Sequence, residues 1–103
     1  MGADFSGASF IRADMYNVNF VHADLTNCDL RRARITVSDF RHVNWDNADL
    51  GNALILKTKL YNTAKFTFKS IADLRVIDSF YDHSGTEDIH TGLEVWIEHM
   101  LAQ

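Results

Sequence analysis

From Ala3 to Leu60 a small residue, a usually polar residue and a large apolar residue recur every five positions, from Ala3-Asp4-Phe5 at the start to Ala48-Asp49-Leu50 near the end. The large series is Phe5, Phe10, Met15, Phe20, Leu25, Leu30, Ile35, Phe40, Trp45, Leu50, Ile55 and Leu60. The small series, two places earlier each time, is Ala3, Ala8, Ala13, Val18, Ala23, Cys28, Ala33, Ser38, Val43, Ala48, Ala53 and Thr58. In a chain that is 47% hydrophobic, such an unbroken large series arises by accident with odds of roughly one in ten thousand.

A period of five suits neither an amphipathic helix nor a simple strand. Each step of five along a helix turns the large residue by about 140° net, so the series would scatter round the whole circumference. The period suits a chain that turns a corner once per repeat. One such unit cannot bury its own apolar face, so the units must wind into a solenoid and stack.

At 103 residues the chain is one domain, long enough to bury a continuous core if its units stack. The absence of proline and the 12% aromatic content exclude a disordered or linker-rich chain. Its single cysteine excludes an internal disulfide framework, and the place of Cys28 in the small series makes it a buried filler rather than a reactive thiol. No apolar run reaches the length of a membrane span, and the amino end carries no secretory pattern. The expectation is a soluble, cytoplasmic, bacterial protein or a piece of one, with no membrane association. The formal charge of −4 is uneven: residues 1–60 are neutral and residues 61–103 hold the whole excess. A neutral rod with an acidic end speaks against direct nucleic-acid binding and against mimicry of nucleic acid.

The triplets Ala23-Asp24-Leu25 and Ala48-Asp49-Leu50 resemble the Ala-Asp-Leu-X-X pattern of the pentapeptide-repeat family. The resemblance implies an all-β solenoid, a right-handed quadrilateral β-helix with four repeats per coil and the small and large residues pointing inward. About four coils are expected, followed by a C-terminal α-helix. Positions twenty apart then become vertical neighbours at strand spacing. The interior columns are Phe5/Leu25/Trp45, Phe10/Leu30/Leu50, Met15/Ile35/Ile55 and Phe20/Phe40/Leu60. Trp45 departs from the usual Leu or Phe and is expected to distort the third coil, because its indole N–H needs a partner or the surface. Gly7/Asn27/Asn47 sit at a corner where left-handed backbone is tolerable.

Outside, Arg31, Arg32, Arg34 and Arg41 make the middle of the rod locally basic. They either pair with Asp14, Asp29 and Asp39 or form a patch for an anion or acidic partner. Tyr16, Val37, Leu54 and Leu56 fall at outward positions on or beside the third wall. In an extended segment neighbours alternate sides, so Leu54 and Leu56 point outward while Ile55 points in. Something should cover them, either the protein's own tail or a partner chain.

After Leu60 the count slips. A one-residue insertion restores Phe66, Ile71, Val76 and Tyr81 as a degenerate fourth coil, although Lys69 then falls at a small inward position. Alternatively Lys65–Lys69 alternates as a strand and Ala72-Asp73-Leu74 restores the triplet. The domain reading is a repeat unit over 1–82, regular to 60 and degenerate over 61–82, then a loop and helix over 83–103. Leu93, Trp96, Ile97, Met100 and Leu101 are spaced for an amphipathic helix from about Gly92 to Ala102, with Thr91 and Glu94 as a capping box. That helix is too short to be stable alone. It is expected to cover the last coil or to meet a second copy; relatives with such a helix form end-to-end homodimers, and the resemblance implies the same homodimer here, through the C-terminal helix.

No catalytic constellation, cofactor site or metal site assembles from the sequence. His22 and His42 are twenty apart, but two imidazoles alone make a weak metal site. The expected function is a non-enzymatic protein-interaction or scaffold module with an unknown protein partner. The resemblance also admits a gyrase- or topoisomerase-interacting protein of the quinolone-resistance, DNA-mimic kind, or the repeat portion of a secreted effector.

Overall fold

The computed structural model describes residues 2–60 and 67–77. The loop and helix expected over 83–103, with Leu93, Trp96, Ile97, Met100 and Leu101, lie outside the described residues, as do Phe66 and Tyr81.

Four short strands, β1 (Asp14–Tyr16), β2 (Arg34–Thr36), β3 (Leu54–Leu56) and β4 (Arg75–Ile77), form one parallel sheet in that order. Met15 pairs with Ile35 and Ile35 with Ile55, so one strand is one coil of twenty residues from the next. Isolated bridges mark three further sides: Asp4–Asp24–Asn44, Ser9–Asp29–Asp49–Ser70 and Asn19–Asp39–Lys59. The solenoid is therefore four-sided. Taken in chain order, the walls carry residues 3–5, 8–10, 13–16 and 18–20 of the first coil and their equivalents below.

The large series fills the interior as its periodicity requires. Leu25, Leu30, Ile35, Phe40, Trp45, Leu50 and Ile55 are fully buried, whereas Phe5, Phe10 and Phe20 at the first coil are partly buried. An aromatic chain runs down the rod: Phe5 stacks on Phe20 at 5.0 Å, Phe20 tilts against Phe40 at 4.9 Å, and Phe40 stacks on Trp45 at 5.6 Å. The column behind the third wall is aliphatic instead. Ile35, Ile55 and Val76 are β-branched and sit at strand centres, where such side chains pack best on a pleated surface.

Trp45 does not distort its coil. The Asp24–Asn44 bridge is intact beside it and Leu25 N–H donates to Asn44 O at 2.9 Å. Phe68 tilts against the indole at 6.1 Å.

The slip is real. Ile55 pairs with Val76 rather than with residue 75, so the last step is twenty-one residues. Around Asp49, Lys69 N–H donates to Ala48 O and Leu50 N–H donates to Ser70 O, both at 2.8 Å. Two residues thus face Asp49 in the manner of a bulge. That adjustment exposes Lys69 and leaves Phe68 partly buried against the core. The expected inward lysine is avoided. Nor do Ala72-Asp73-Leu74 restore the triplet: Asp73 takes a corner, with φ 58°, and Leu74 is buried at the small position below Ala53.

Candidate functional site

Three of the four walls are tied down by their own turns. After the first, second and fourth walls the small residue's N–H donates to the carbonyl three residues back, as in Ala8 to Phe5 at 2.9 Å, Ala13 to Phe10 at 3.0 Å and Ala23 to Phe20 at 2.8 Å. The third residue of each turn has positive φ: Gly7 75°, Arg12 60°, His22 63° and their equivalents below. That is the type II pattern. Its polar residue is not merely soluble. Asp4, Asp24 and Asn44 on the first wall, Asp29, Asp49 and Ser70 on the second, and Asn19 and Asp39 on the fourth each accept the N–H two residues on, at 2.9–3.3 Å. Short oxygen-bearing side chains are required there because only they reach that amide.

On the third wall the equivalent positions are Asp14, Arg34, Leu54 and Arg75, and none makes such a bond among the described residues. The corner that follows is closed differently. Val18 N–H donates to Ser38 Oγ at 3.1 Å, and Ser38 N–H to Thr58 Oγ1 at 3.4 Å. Ser38 Oγ in turn donates to Thr36 O at 2.8 Å and Thr58 Oγ1 to Leu56 O at 3.0 Å. This buried hydroxyl column explains why the small series switches from Ala to Ser38 and Thr58 at this one corner. Outward side chains on the third wall are freed from turn duty.

Those side chains form two columns. Asp14, Arg34, Leu54 and Arg75 make one; Tyr16, Thr36, Leu56 and Ile77 make the other. Leu54 and Leu56 are partly exposed around the fully buried Ile55. Tyr16 is 68% exposed, Val37 at the adjoining corner 44% and Ile77 39%. The structure thus brings Tyr16, Leu54 and Leu56 onto one face, with Val37 at its edge. Ile77 and Arg75 complete it, and sequence reasoning missed them; counting outward positions in the slipped register would have found both.

The four arginines do not share one wall. Arg31 lies by the second wall and binds Asp29 side-on, Nε to Oδ1 at 2.9 Å and Nη2 to Oδ2 at 2.7 Å. Arg41, beyond the fourth wall, binds Asp39 in the same way at 2.8 Å and 2.7 Å. The Arg31 guanidinium holds the Asp29 carboxyl below its ordinary range. For Asp39, burial pushes the pKa up, but the hydrogen bonds and charge of Arg41 outweigh it and the net shift is downward. These are the ion pairs among the described residues. Arg32 and Arg34 are exposed, at the second corner and on the third wall.

Other candidates are structural. Cys28 is buried, its Sγ 2.9 Å from Phe5 O, and burial raises its pKa. His22 and His42 stack face to face, centroids 4.3 Å apart and 3° from parallel, an arrangement that does not converge on a metal. Among the described residues no three His, Cys, Asp or Glu side chains group as metal ligands, and no helix is long and apolar enough to cross a membrane.

Residues 1–36 match the sequence profile described as pentapeptide repeats, in eight copies. Over that stretch the chain carries pentapeptide repeats. No curated protein matches its sequence. A solved pentapeptide-repeat protein from the thylakoid lumen of Arabidopsis thaliana aligns over 98% of this chain and 86% of its own, at 18% identity and a TM-score of 0.41, too loose a likeness to bear on function. Within the rod, the third wall is the one whose outward side chains make no turn bonds among the described residues.

Proposed function

We propose that this rod is a non-enzymatic protein-interaction module whose recognition surface is the third wall. The observation that carries the reading is the outward face of β1–β4, where Leu54, Leu56, Ile77 and Tyr16 are displayed with Arg34 and Arg75 while the other walls spend their polar side chains on turns. Apolar side chains rimmed by charge are the usual composition of a protein-binding surface.

Affinity capture from the source organism tests it. Wild-type protein is compared with Leu54→Asp/Leu56→Asp and with Arg31→Glu/Arg41→Glu, each checked for folding by circular dichroism. A partner held by wild type and by the arginine variant but lost from the leucine variant supports the third wall. Equal retention by all three, or no partner for wild type, overturns it.

A further inference from the structure

Five cations surround the third wall: Arg34 and Arg75 on it, Arg12 and Arg32 at the preceding corner, and Lys57 at the following one. None is in an ion pair among the described residues. Among the described residues only Asp14 and Asp73 oppose them there. The chain that leaves this wall has the opposite character. Residues 78–103 contain Asp78, Asp82, Glu87, Asp88, Glu94 and Glu98, with no lysine or arginine, together with the apolar stripe of Leu93, Trp96, Ile97, Met100 and Leu101.

Position and length also match. β4 is itself the last strand of the third wall, so the segment departs from Ile77 at the foot of that face. Residues 78–90 can span at most about 45 Å if extended, ample for a return up the wall. From β1 to β4 the wall rises about 14 Å; a helix over residues 91–101 would be about 16 Å long. Its stripe needs an apolar surface to be stable; the third wall has the right height, and its outward aliphatic residues Leu54, Leu56 and Ile77 gather on β3 and β4 at its foot.

We propose that the acidic amphipathic segment 91–101 docks along the outer face of the third wall of its own molecule. The stripe lies over Leu54, Leu56 and Ile77, and Glu94 and Glu98 face the border of arginines. This covers the one face whose side chains the turns leave free. The docked segment occupies the face assigned above to a partner, so a partner binds there only by displacing it. The docking is tested on purified protein with no partner present, so its failure and that of the binding role are read separately.

Amide hydrogen exchange on the full chain, with light scattering on the same samples, is the test. Wild type should be monomeric, with residues 91–101 protected about tenfold over an unstructured peptide, independent of protein concentration. Leu54→Asp/Leu56→Asp should lose that protection while the amides of β2 keep theirs. Arg34→Glu/Arg75→Glu, which leaves the core untouched, should reduce it about threefold, and raising the salt should act in the same direction. Three results would overturn the proposal. Residues 91–101 could be unprotected in wild type; their protection could survive both wall variants, placing them elsewhere; or it could appear only in a concentration-dependent dimer, making a second copy the occupant.

Discussion

The third wall and the other three are built from the same five-residue unit, yet they close their corners by different chemistry. On the first, second and fourth walls an Asp, Asn or Ser side chain accepts the amide two residues on, and a type II turn follows. On the third, strand pairing extends over Asp14–Tyr16 and its equivalents, and the corner amides are taken by Ser38 and Thr58 hydroxyls from the coil below. The difference separates two tasks. Where the outward polar residue holds the turn, its identity is confined; where hydroxyls inside the corner hold it, the outer surface is free to carry Arg34, Leu54 and Arg75.

The sharpest way to break this contrast is to remove the hydroxyl column. Thr58→Val keeps shape but leaves Ser38 N–H without its acceptor in a fully buried site, and should cost about 2 kcal/mol in urea unfolding. A change near zero would show that strand pairing alone closes the corner. Next in size is a matched pair of outer residues. Asp24→Ala loses the bonds from Thr26 N–H at 3.0 Å and Thr26 Oγ1 at 2.6 Å and should lower stability by about 1 kcal/mol. Arg34→Ala, at the corresponding place on the third wall, should stay within about 0.5 kcal/mol. Equal losses would erase the distinction between the walls.

Val37 supplies a prediction of opposite sign. It is a β-branched residue at φ 50° and 44% exposed, a conformation that disfavours its side chain. Val37→Asn should raise stability by up to about 1 kcal/mol, seen as a higher melting temperature; a lower one would mean that the valine packs more than it strains. The smallest expected effect is the pH response of the fourth wall. The net lowering of the Asp39 pKa means that its contribution is present above the unfolded carboxyl value of about 3.9 and fades as pH falls through the lower folded value. The pair with Arg41 is partly exposed, so the contribution is below about 1 kcal/mol. Thermal melts of wild type and Asp39→Asn should differ at pH 6 and converge near pH 2; a gap that widened toward low pH would contradict the shift.

Much of this was legible in the chain. The inward columns, the twenty-residue step, Cys28 as filler, the left-handed corner at Gly7/Asn27/Asn47 and the outward placing of Leu54 and Leu56 follow from spacing and residue size. The left-handed backbone at Arg12, Arg32, Val37 and Lys57 did not, because these residues carry no local preference for it. Stacking imposes the corner on whatever residue stands there. The objection that Lys69 raised to the slipped register is resolved for a related reason: a rigid register cannot foresee that Lys69 and Ser70 together face Asp49.

The sequence by itself determined the period, the interior and the fact of a solenoid, since these depend on residue size and on burying every fifth side chain. Only the tertiary structure decided which wall becomes a sheet and which outward residues are free. Those choices rest on hydrogen bonds between residues twenty apart, such as Ser38 to Thr58, and such bonds exist only once one coil lies on the next.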